Sequence, residues 1–266
     1  MLYVVATPIG NLKEITFRAI ETLQSVDYIL CEDTRTSKVL LDNYDIKKTL
    51  KSYHKFNETK ATEDIISDLK SGKDVALISD AGMPGISDPG NILINALIRE
   101  GLEYTVVSGA SALINAFVLS GYDAPFTFVG FLSDNNTKRK DMLNKLSKSN
   151  TSLIFYCSPH SIEKDLKDML GILGNREICV VREISKKFEE VNFSDLQNGY
   201  KGLIKGEFVV IVNQPKNYMI DRDLDQDLET LLSMGLSKTD ASKILAKLHG
   251  LKKNDVYKNA INKDWE

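Results

Sequence analysis

Short apolar runs alternate with amphipathic stretches through residues 1–112, and this alternation limits the folds that the chain can adopt. The apolar runs lie at residues 3–6, Tyr28–Cys31, 75–79 and Tyr104–Val107, long enough for strands but too short for helices. Continuous apolar runs of this length are typical of strands buried on both faces of a parallel sheet. The stretches between them repeat with helical periodicity, so the sequence predicts an α/β domain over residues 1–112.

A second α/β pattern follows and predicts a second domain over residues 113–220. A helix at 111–120 and a turn at 121–125 are expected to link the two domains. Residues 188–193 alternate apolar and polar side chains, as a half-exposed and antiparallel strand does. The other predicted strands of this domain are Phe126–Phe131, Ser152–Cys157, Glu177–Arg182 and Phe208–Val212.

The tail at residues 221–266 is predicted to be a small helical extension. Leucines at 224, 228, 231 and 232 form one helical stripe, and the segment from Ser237 to Asp240 resembles a capping box that opens a second helix. Residues 238–263 carry seven lysines against two aspartates, a net charge of +5. Two interpretations stay open: a helix-turn-helix-like module with a basic edge, or a cap on the second domain.

Bulk composition narrows the class of protein. With 42% hydrophobic and 27% charged residues the chain is globular, and a net charge of −3 does not suit a protein that coats nucleic acid. Cys31, Cys157 and Cys179 show neither metal-ligand nor disulfide spacing, so we expect no metal site and a reducing, cytoplasmic location. The chain opens on a strand-like run rather than a signal peptide. No run approaches the ~18 apolar residues of a membrane helix, so no membrane partner is expected.

Three turns rich in glycine and other turn-forming residues follow predicted strands, at residues 6–12, 79–90 and 107–112. Ligands of open α/β sheets bind at the carboxyl ends of strands, where glycine lets the backbone approach closely. One such turn is usually only a tight connection, but three in one domain indicate a ligand site. None matches Gly-x-Gly-x-x-Gly or the P-loop pattern, so neither NAD nor a nucleoside triphosphate is the expected ligand.

Two charged clusters supply candidate catalytic side chains. Glu32, Asp33 and Arg35 directly follow the second strand, although Asp33 has an alternative role as cap of the next helix. Glu183 lies in a charged run at 182–190, for which a solvated sheet edge is the alternative interpretation. No Ser-His-Asp order or paired-carboxylate pattern accompanies them, so hydrolase chemistry lacks support.

A polar, aromatic run that begins at Tyr53 has the side chains that suit a nucleotide. Tyr53 and His54 offer rings for stacking, and Lys55 offers a positive charge for a phosphate. Asn57 and Glu58 are candidates for contacts with hydroxyl groups or base edges. An ordinary exposed loop is the alternative interpretation.

The three turns and the cluster at 31–35 together resemble the tetrapyrrole methylase superfamily. Together with residues 53–58, 156–160, 182–186 and 206–208 they resemble its ribosomal RNA small-subunit methyltransferase I branch, the cytidine-2′-O-methyltransferases. The resemblance spans residues 1–215, and the tail resembles that branch's C-terminal extension. It implies two α/β domains with S-adenosylmethionine in the cleft between them, and usually a homodimer. It also implies the substrate, a decoding-centre cytidine of 16S ribosomal RNA in the small ribosomal subunit.

The resemblance further implies which residues surround the cofactor. The middle turn should lie along S-adenosylmethionine, the first turn should shape the floor of its pocket, and the second domain should close it. A partly apolar cradle suits the cationic sulfonium better than lysines do. The implied cofactor-binding residues are Pro8, Gly10, Ala81, Gly82, Met83, Pro84, Ile86, Ser111, Ala112, Tyr156 and Cys157.

A ribose hydroxyl must lose its proton as it attacks the methyl group, so the reaction needs a base. Strand-end position and residue type make Glu32, Asp33 and Glu183 the candidate bases, with Arg35 expected to anchor a neighbouring phosphate. Phosphate contacts from the basic tail are expected to add affinity for RNA. The tail residues assigned to this role are Lys243, Lys252 and Lys253.

Three other functions stay open at this point. A corrin or porphyrin methyltransferase would share the cofactor site, but it would need a pocket for a flat polycarboxylate, and the sequence shows no extra arginine cluster to bind one. A non-catalytic RNA-binding factor for ribosome assembly would keep the fold and bind the cofactor without turnover. A generic nucleotide-binding α/β protein would not bind S-adenosylmethionine.

Overall fold

The computed structural model describes residues 1–215, 224–248 and 251–262. They form two compact units. The first comprises residues 1–143 and 151–214 and contains both β-sheets, and the second comprises residues 144–150 and the described residues from 215 onward. Among the helices in these ranges, none has both the length and the hydrophobicity that crossing a bilayer requires.

Five parallel strands form the first sheet, and they are β1 (Leu2–Val5), β2 (Tyr28–Cys31), β3 (Thr49–Ser52), β4 (Val75–Leu77) and β5 (Tyr104–Val107). They pair in the order β3-β2-β4-β1-β5, so the predicted parallel sheet is confirmed. The sequence did not predict β3, because this edge strand is largely exposed and lacks an apolar run.

Helices cover both faces of this sheet, which explains why its strands are continuously apolar. Leu30 packs with Leu97 in one core, whereas its neighbour Ile29 packs with Leu23 and Leu41 in the core on the other face. Successive strand side chains point to opposite faces, so both must be hydrophobic. The helices are α1 (Phe17–Ser25), α2 (Thr34–Asn43), α3 (Glu58–Lys70) and α4 (Asn91–Glu100).

A mixed sheet forms the second half of the first unit. Its strands are β6 (Phe126–Phe131), β7 (Ser152–Cys157), β8 (Glu177–Arg182), β9 (Glu190–Asp195) and β10 (Phe208–Val212). They pair in the order β6-β7-β10-β8-β9, parallel between β6 and β7 and antiparallel elsewhere. The antiparallel strand expected at 188–193 is therefore present as β9, two residues further along the chain.

The chain passes from the first sheet to the second where the sequence placed the link. Helix α5 (Ala112–Ser120) follows β5, but its Leu113 and Ala116 pack with Ile154 and Val181 in the core of the second sheet. This half also contains α7 (Ile162–Leu173) and the part of α6 (Asn136–Ser147) up to residue 143.

Three helices form the described part of the tail, as predicted: α8 (Leu224–Ser233), α9 (Lys238–Leu248) and α10 (Lys253–Asn262). Their shared core contains Leu228, Leu245 and Val256. The Ser237 hydroxyl accepts a hydrogen bond of 3.1 Å from the Asp240 amide, which confirms the predicted cap of the second helix. Residues 216–220 of the predicted second domain lie outside the described residues, as do residues 221–223, 249–250 and 263–266 of the predicted extension.

Candidate active site

Hydrogen bonds join the loops that follow three parallel strands, at the carboxyl edge of the first sheet. Thr7, after β1, donates a backbone hydrogen bond of 2.8 Å to Gly82, after β4, and accepts one of 3.1 Å from it. The Asp80 carboxylate accepts a hydrogen bond of 3.2 Å from the Asp33 amide, after β2. These contacts fix the loops in one place, as expected for an open sheet that binds a ligand at its strand ends.

A cavity of about 360 Å³ lies between these loops and the second sheet. Within the described ranges, no lysine or arginine lines this cavity, and the side chains around it are mostly apolar. We call it the central cavity. The predicted cofactor-binding residues that line it are Ala81, Gly82, Met83, Ile86, Ser111, Ala112, Tyr156 and Cys157.

The middle turn needs a glycine at position 82 to shape this wall. Gly82 has a φ of +81°, a backbone conformation that side chains disfavour. A Cβ at this position would lie 3.3 Å from Cγ2 of Ile9, so the space beside it is also tight. The glycine therefore lets the turn bond to β1 while presenting its backbone to the cavity.

An aromatic group and a thiol form part of the opposite wall. The Tyr156 ring contacts Phe128 and Phe131, with centroid distances of 5.0 and 5.5 Å. Burial raises the pKa of Tyr156 to about 12, so its hydroxyl stays protonated at neutral pH. Cys157 is only 3% exposed, and burial raises the pKa of its thiol as well, which makes it a packing group rather than a nucleophile.

Three residues predicted to bind the cofactor lie outside this lining. Pro84 is buried within its own turn. Pro8 and Gly10 line a neighbouring cavity of about 240 Å³. A Cβ on Gly10 would collide with Cγ of Lys186, so this glycine allows the two halves to approach each other. Its contact with the cofactor stays a prediction.

Asp33 is committed to the start of α2, which makes it a poor base. Its carboxylate accepts hydrogen bonds from the Arg35 amide at 2.8 Å and from the Arg35 guanidinium at 2.6 Å. These hydrogen bonds lower the pKa of Asp33 to about 2. The structure therefore favours the alternative role of Asp33 as a cap. The Arg35 side chain is 90% exposed and projects donors into solvent beyond those that Asp33 uses.

The side chain of Glu183 joins two loops by hydrogen bonds. Its carboxylate accepts a 2.8 Å hydrogen bond from the Lys186 ammonium group and one of 3.0 Å from the Glu207 amide. Burial acts to raise the pKa of Glu183, but these hydrogen bonds outweigh it and hold the pKa below its usual value. A carboxylate held ionised by two donors is a weak proton acceptor, so the structure argues against Glu183 as the base.

Asp88 is a candidate that the sequence prediction passed over. It lines the central cavity at the end of the middle turn. Burial, together with the negative charges of Glu32 and Asp80, raises the pKa of Asp88 to about 6, although a hydrogen bond from Ser79 opposes the shift. A carboxylate whose pKa lies this close to neutrality is suited to accept a proton. Glu32 is half-buried nearby but does not line the cavity.

The loop after β3 divides into buried and exposed parts. Tyr53 is 1% exposed and packs in the core of the first sheet, so the prediction that it stacks on a nucleotide was wrong. The Asn57 side chain forms a hydrogen bond within the loop, because it accepts one of 2.8 Å from the His54 amide. The exposed ring is that of Phe56, at 86% exposure, with the Lys55 ammonium group 5.1 Å from its centroid.

Glu58 is the first residue of helix α3 and is half-buried, and its amide donates a hydrogen bond of 2.9 Å to the His54 carbonyl group. The three tail lysines assigned to RNA are all exposed: Lys243, Lys252 and Lys253. Surface position is necessary for phosphate contacts, but it does not by itself assign any.

The chemistry of the central cavity fits S-adenosylmethionine. The sulfonium of that cofactor is a cation, and the lining combines apolar side chains with carbonyl groups and the carboxylates of Asp80, Asp88 and Glu207. A cation in such a site meets no like charge from the lining and meets opposite charge from the carboxylates. The residues present therefore suit the cofactor that the sequence resemblance implies.

A family model described as tetrapyrrole (corrin/porphyrin) methylases matches residues 1–198. The chain belongs to this family of methyltransferases, and membership confirms S-adenosylmethionine as the cofactor. Its relatives include proteins named ribosomal RNA small subunit methyltransferase I. The one from Halalkalibacterium halodurans is 40% identical over 268 residues, which cover 96% of this chain and 93% of the relative. The one from Mycoplasmopsis pulmonis is 49% identical over 214 residues, which cover 79% and 96%.

Solved structures share the fold at low sequence identity. A cobalt precorrin-4 methyltransferase superposes with a TM-score of 0.60 at 17% identity, covering 80% of this chain and 94% of that one. A diphthine synthase superposes with a TM-score of 0.60 at 14% identity, covering 85% and 94%. The predicted architecture, two α/β halves of the tetrapyrrole methylase type with a helical extension, is confirmed.

Proposed function

We propose that this chain transfers the methyl group of S-adenosylmethionine to the ribose 2′-hydroxyl of a decoding-centre cytidine in the 16S ribosomal RNA of the small ribosomal subunit. The observation that carries the proposal is the central cavity, free of lysine and arginine within the described ranges, with half-buried Asp88 in its wall. The names of the curated relatives support ribosomal RNA as the substrate. The resemblance described from the sequence supports the cytidine and the 2′-oxygen.

The residues of the central cavity hold and orient the cofactor in this proposal. The turn from Ala81 to Met83 lies along it, Ser111 and Ala112 lie behind it, and Tyr156 closes the pocket from the second sheet. When bound, S-adenosylmethionine supplies an electrophilic methyl group on a positively charged sulfur. Alignment of the two reactants is worth about 7–11 kcal/mol in favourable cases, so positioning is a main contribution of these residues.

We assign the base role to Asp88, with Glu32 as the alternative. Asp88 lines the cavity and has a pKa of about 6, so it is ionised at neutral pH and still basic enough to take a proton from the attacking hydroxyl. Glu32 contributes a negative charge that raises the pKa of Asp88. Asp33 and Glu183 keep structural roles, and Arg35 is retained as a candidate phosphate contact.

The loop after β3 and the tail are proposed to bind RNA outside the cavity. Phe56 and His54 offer rings for stacking, and Lys55 lies beside them. Replacing Lys243, Lys252 and Lys253 with glutamine in the full chain should weaken RNA binding and flatten its salt dependence by about 0.7 in log–log slope per lost contact. Unchanged affinity and slope would leave the tail as a cap on the fold.

We also propose that the chain forms a homodimer. Helix α5 exposes Ile114, Val118 and Leu119, and edge strand β5 exposes Tyr104 and Val106. An apolar helix face next to an open sheet edge is a common site of self-association. Sedimentation of the wild type and of Val118→Asp should give a dimer and a monomer; a monomeric wild type would overturn this proposal.

The deciding experiment is transfer of labelled methyl groups from S-adenosylmethionine to unmethylated small ribosomal subunits, with free 16S RNA and a tetrapyrrole mixture alongside. Label on a cytidine 2′-oxygen of the subunit RNA is the expected result. Label on the tetrapyrroles alone would overturn the assignment of substrate. Cofactor binding without any transfer would favour a non-catalytic assembly factor.

A further inference from the structure

Three adjoining cavities form a row that runs outward from the central cavity, and we call this row the passage. The central cavity shares Ile9, Asp80, Ala81 and Glu207 with the neighbouring cavity of about 240 Å³. That cavity shares Gly10, Asn11, Leu12 and Lys186 with a third one of about 590 Å³. We call this third cavity the outer groove. The passage lies wholly within the first compact unit.

The outer groove has the charge that the central cavity lacks. Lys13, Lys186 and Lys187 line it, together with Asn11 and Asn43, and no carboxylate belongs to its lining within the described ranges. Lys186 is neutralised by Glu183 and Glu207, at 2.8 and 3.1 Å. The described residues form no ion pair with Lys13 or Lys187, so these two charges face the groove without a protein counter-ion.

One wall of the groove is held in a costly backbone conformation. Glu183 and Ser185 have φ values of +51° and +63°, which non-glycine residues seldom adopt. The loop is held by the Glu183 contacts described above and by a 2.6 Å hydrogen bond from the Ser185 amide to the Glu189 carboxylate. Strain of this kind persists where the surroundings over-determine it, and it clusters at functional sites. The same loop contributes Lys186 and Lys187 to the lining of the groove, and the turn after β1 contributes Lys13.

We propose that the outer groove binds the phosphodiester backbone of the RNA strand next to the target nucleotide, with Lys13 and Lys187 as its phosphate contacts. The inner part of the passage then admits the ribose toward the central cavity. An open, cationic groove without carboxylates suits a polyanion, because each lysine can neutralise a phosphate and release its counter-ions. This inference rests on the proposed function and extends it by locating the path of the substrate.

The test is a pair of charge-matched double variants of the full chain, Lys13→Gln/Lys187→Gln and Lys140→Gln/Lys167→Gln. Lys140 on α6 and Lys167 on α7 are exposed and line none of the three cavities, so the second variant is the control. Binding to unmethylated small ribosomal subunits is measured over a salt series, and binding of S-adenosylmethionine is measured by calorimetry.

The groove variant should bind the subunits about tenfold more weakly, with a log–log salt slope reduced by about 1.4, or 0.7 per contact on a single strand. Its affinity for S-adenosylmethionine should match the wild type, which excludes misfolding, and the control should match the wild type in both assays. An unchanged slope in the groove variant, or an equal loss in the control, would overturn the inference. If the wild type transfers label to no RNA, the proposed function itself fails; if it does and the groove variant binds normally, only the inference fails.

Discussion

The central cavity and the outer groove share one stretch of chain yet differ in chemistry. The turn after β1 contributes Ile9 to the cavity and Asn11 and Lys13 to the groove. Within the described ranges the cavity lining contains no basic residue, whereas the groove contains three lysines and no carboxylate. A cationic cofactor and a polyanionic substrate need opposite surroundings. Two sites a few residues apart can therefore recognise reactants of opposite charge, and the same turn keeps them adjacent.

The largest effect is expected at Asp88. The variant Asp88→Asn should lower kcat about 10²- to 10³-fold, because the attacking hydroxyl loses its proton acceptor, while S-adenosylmethionine still binds. In the wild type the rate should rise as pH rises through about 6, since Asp88 is neutral below its pKa and accepts a proton only when ionised. Single-turnover rates across pH check both expectations. A variant with wild-type kcat and pH profile would shift the base role to Glu32.

The same substitution should stabilise the fold at neutral pH. The pKa of Asp88 is raised from 3.8 to about 6, so the folded state disfavours its ionised form at pH values above the folded pKa. Removing the charge should therefore raise stability by about 1 kcal/mol at pH 7.5, after allowance for solvent screening. The gain should vanish below the unfolded pKa of 3.8, where the carboxyl group is neutral in both states. Urea unfolding at both pH values measures it.

A substitution that fills the central cavity should weaken binding of the cofactor without changing binding of RNA in the groove. Ala112 lines the cavity at the start of α5, so Ala112→Trp should weaken S-adenosylmethionine binding about 100-fold, a loss of about 2.7 kcal/mol, and leave RNA affinity unchanged. Calorimetry and subunit binding measure the two affinities. The exposed Asn115 on the same helix supplies the control, Asn115→Trp, which should bind both as the wild type does. A parallel loss of RNA affinity would mean that the two sites are not independent.

Salt should act on one site far more than on the other. Between about 50 and 200 mM salt, RNA binding should weaken roughly 100-fold, because five proposed lysine contacts give a log–log slope of about 3.5, whereas the affinity for S-adenosylmethionine should change less than about twofold. Binding of RNA releases the counter-ions of its phosphates. Binding of S-adenosylmethionine releases no such counter-ions, so its affinity depends little on salt. If both affinities fell together with salt, the contrast between cavity and groove would be wrong.

The smallest effect on catalysis is expected at Asp33, which lines neither site. Asp33→Ala removes the cap of α2 and should lower the melting temperature by a few degrees while changing kcat less than about twofold. Asp33→Asn keeps a capping side chain and should restore the melting temperature. A large loss of kcat in both variants would return Asp33 to the list of candidate bases.

Local pattern was enough to predict most of the sheets. Runs such as Tyr28–Cys31 and Phe208–Val212 were identified with the bounds that the structure gives them, because burial on both faces demands an unbroken apolar run. Strand β3 was missed, because it is stabilised by pairing with β2 rather than by its own burial. Local pattern could not predict the order of the strands either, because strand pairing joins segments that are far apart in the chain.

The residues of the candidate site also fall into those that local pattern predicted and those that depend on distant parts of the chain. The turn chemistry and the family resemblance placed eight residues on the lining of the central cavity, from Ala81 to Cys157. They did not reveal that Gly10 lines the adjoining cavity, because its neighbour Lys186 comes from the other half of the unit. They also misplaced Tyr53, because a mixed polar and aromatic run does not reveal which ring enters the core.

By itself the sequence determined the class of fold, the strand ends that carry the site, the cofactor and the basic character of the tail. These follow from side chains close together in the chain and from motifs whose order is characteristic. Only the tertiary structure decided that Glu183 is held by a donor from a distant loop, that Asp88 is half-buried in the wall of the central cavity near two other carboxylates, and that lysines from two loops meet in one groove. The proton affinity of a carboxylate and the charge of a groove depend on atoms brought within a few ångströms, and folding alone brings them there.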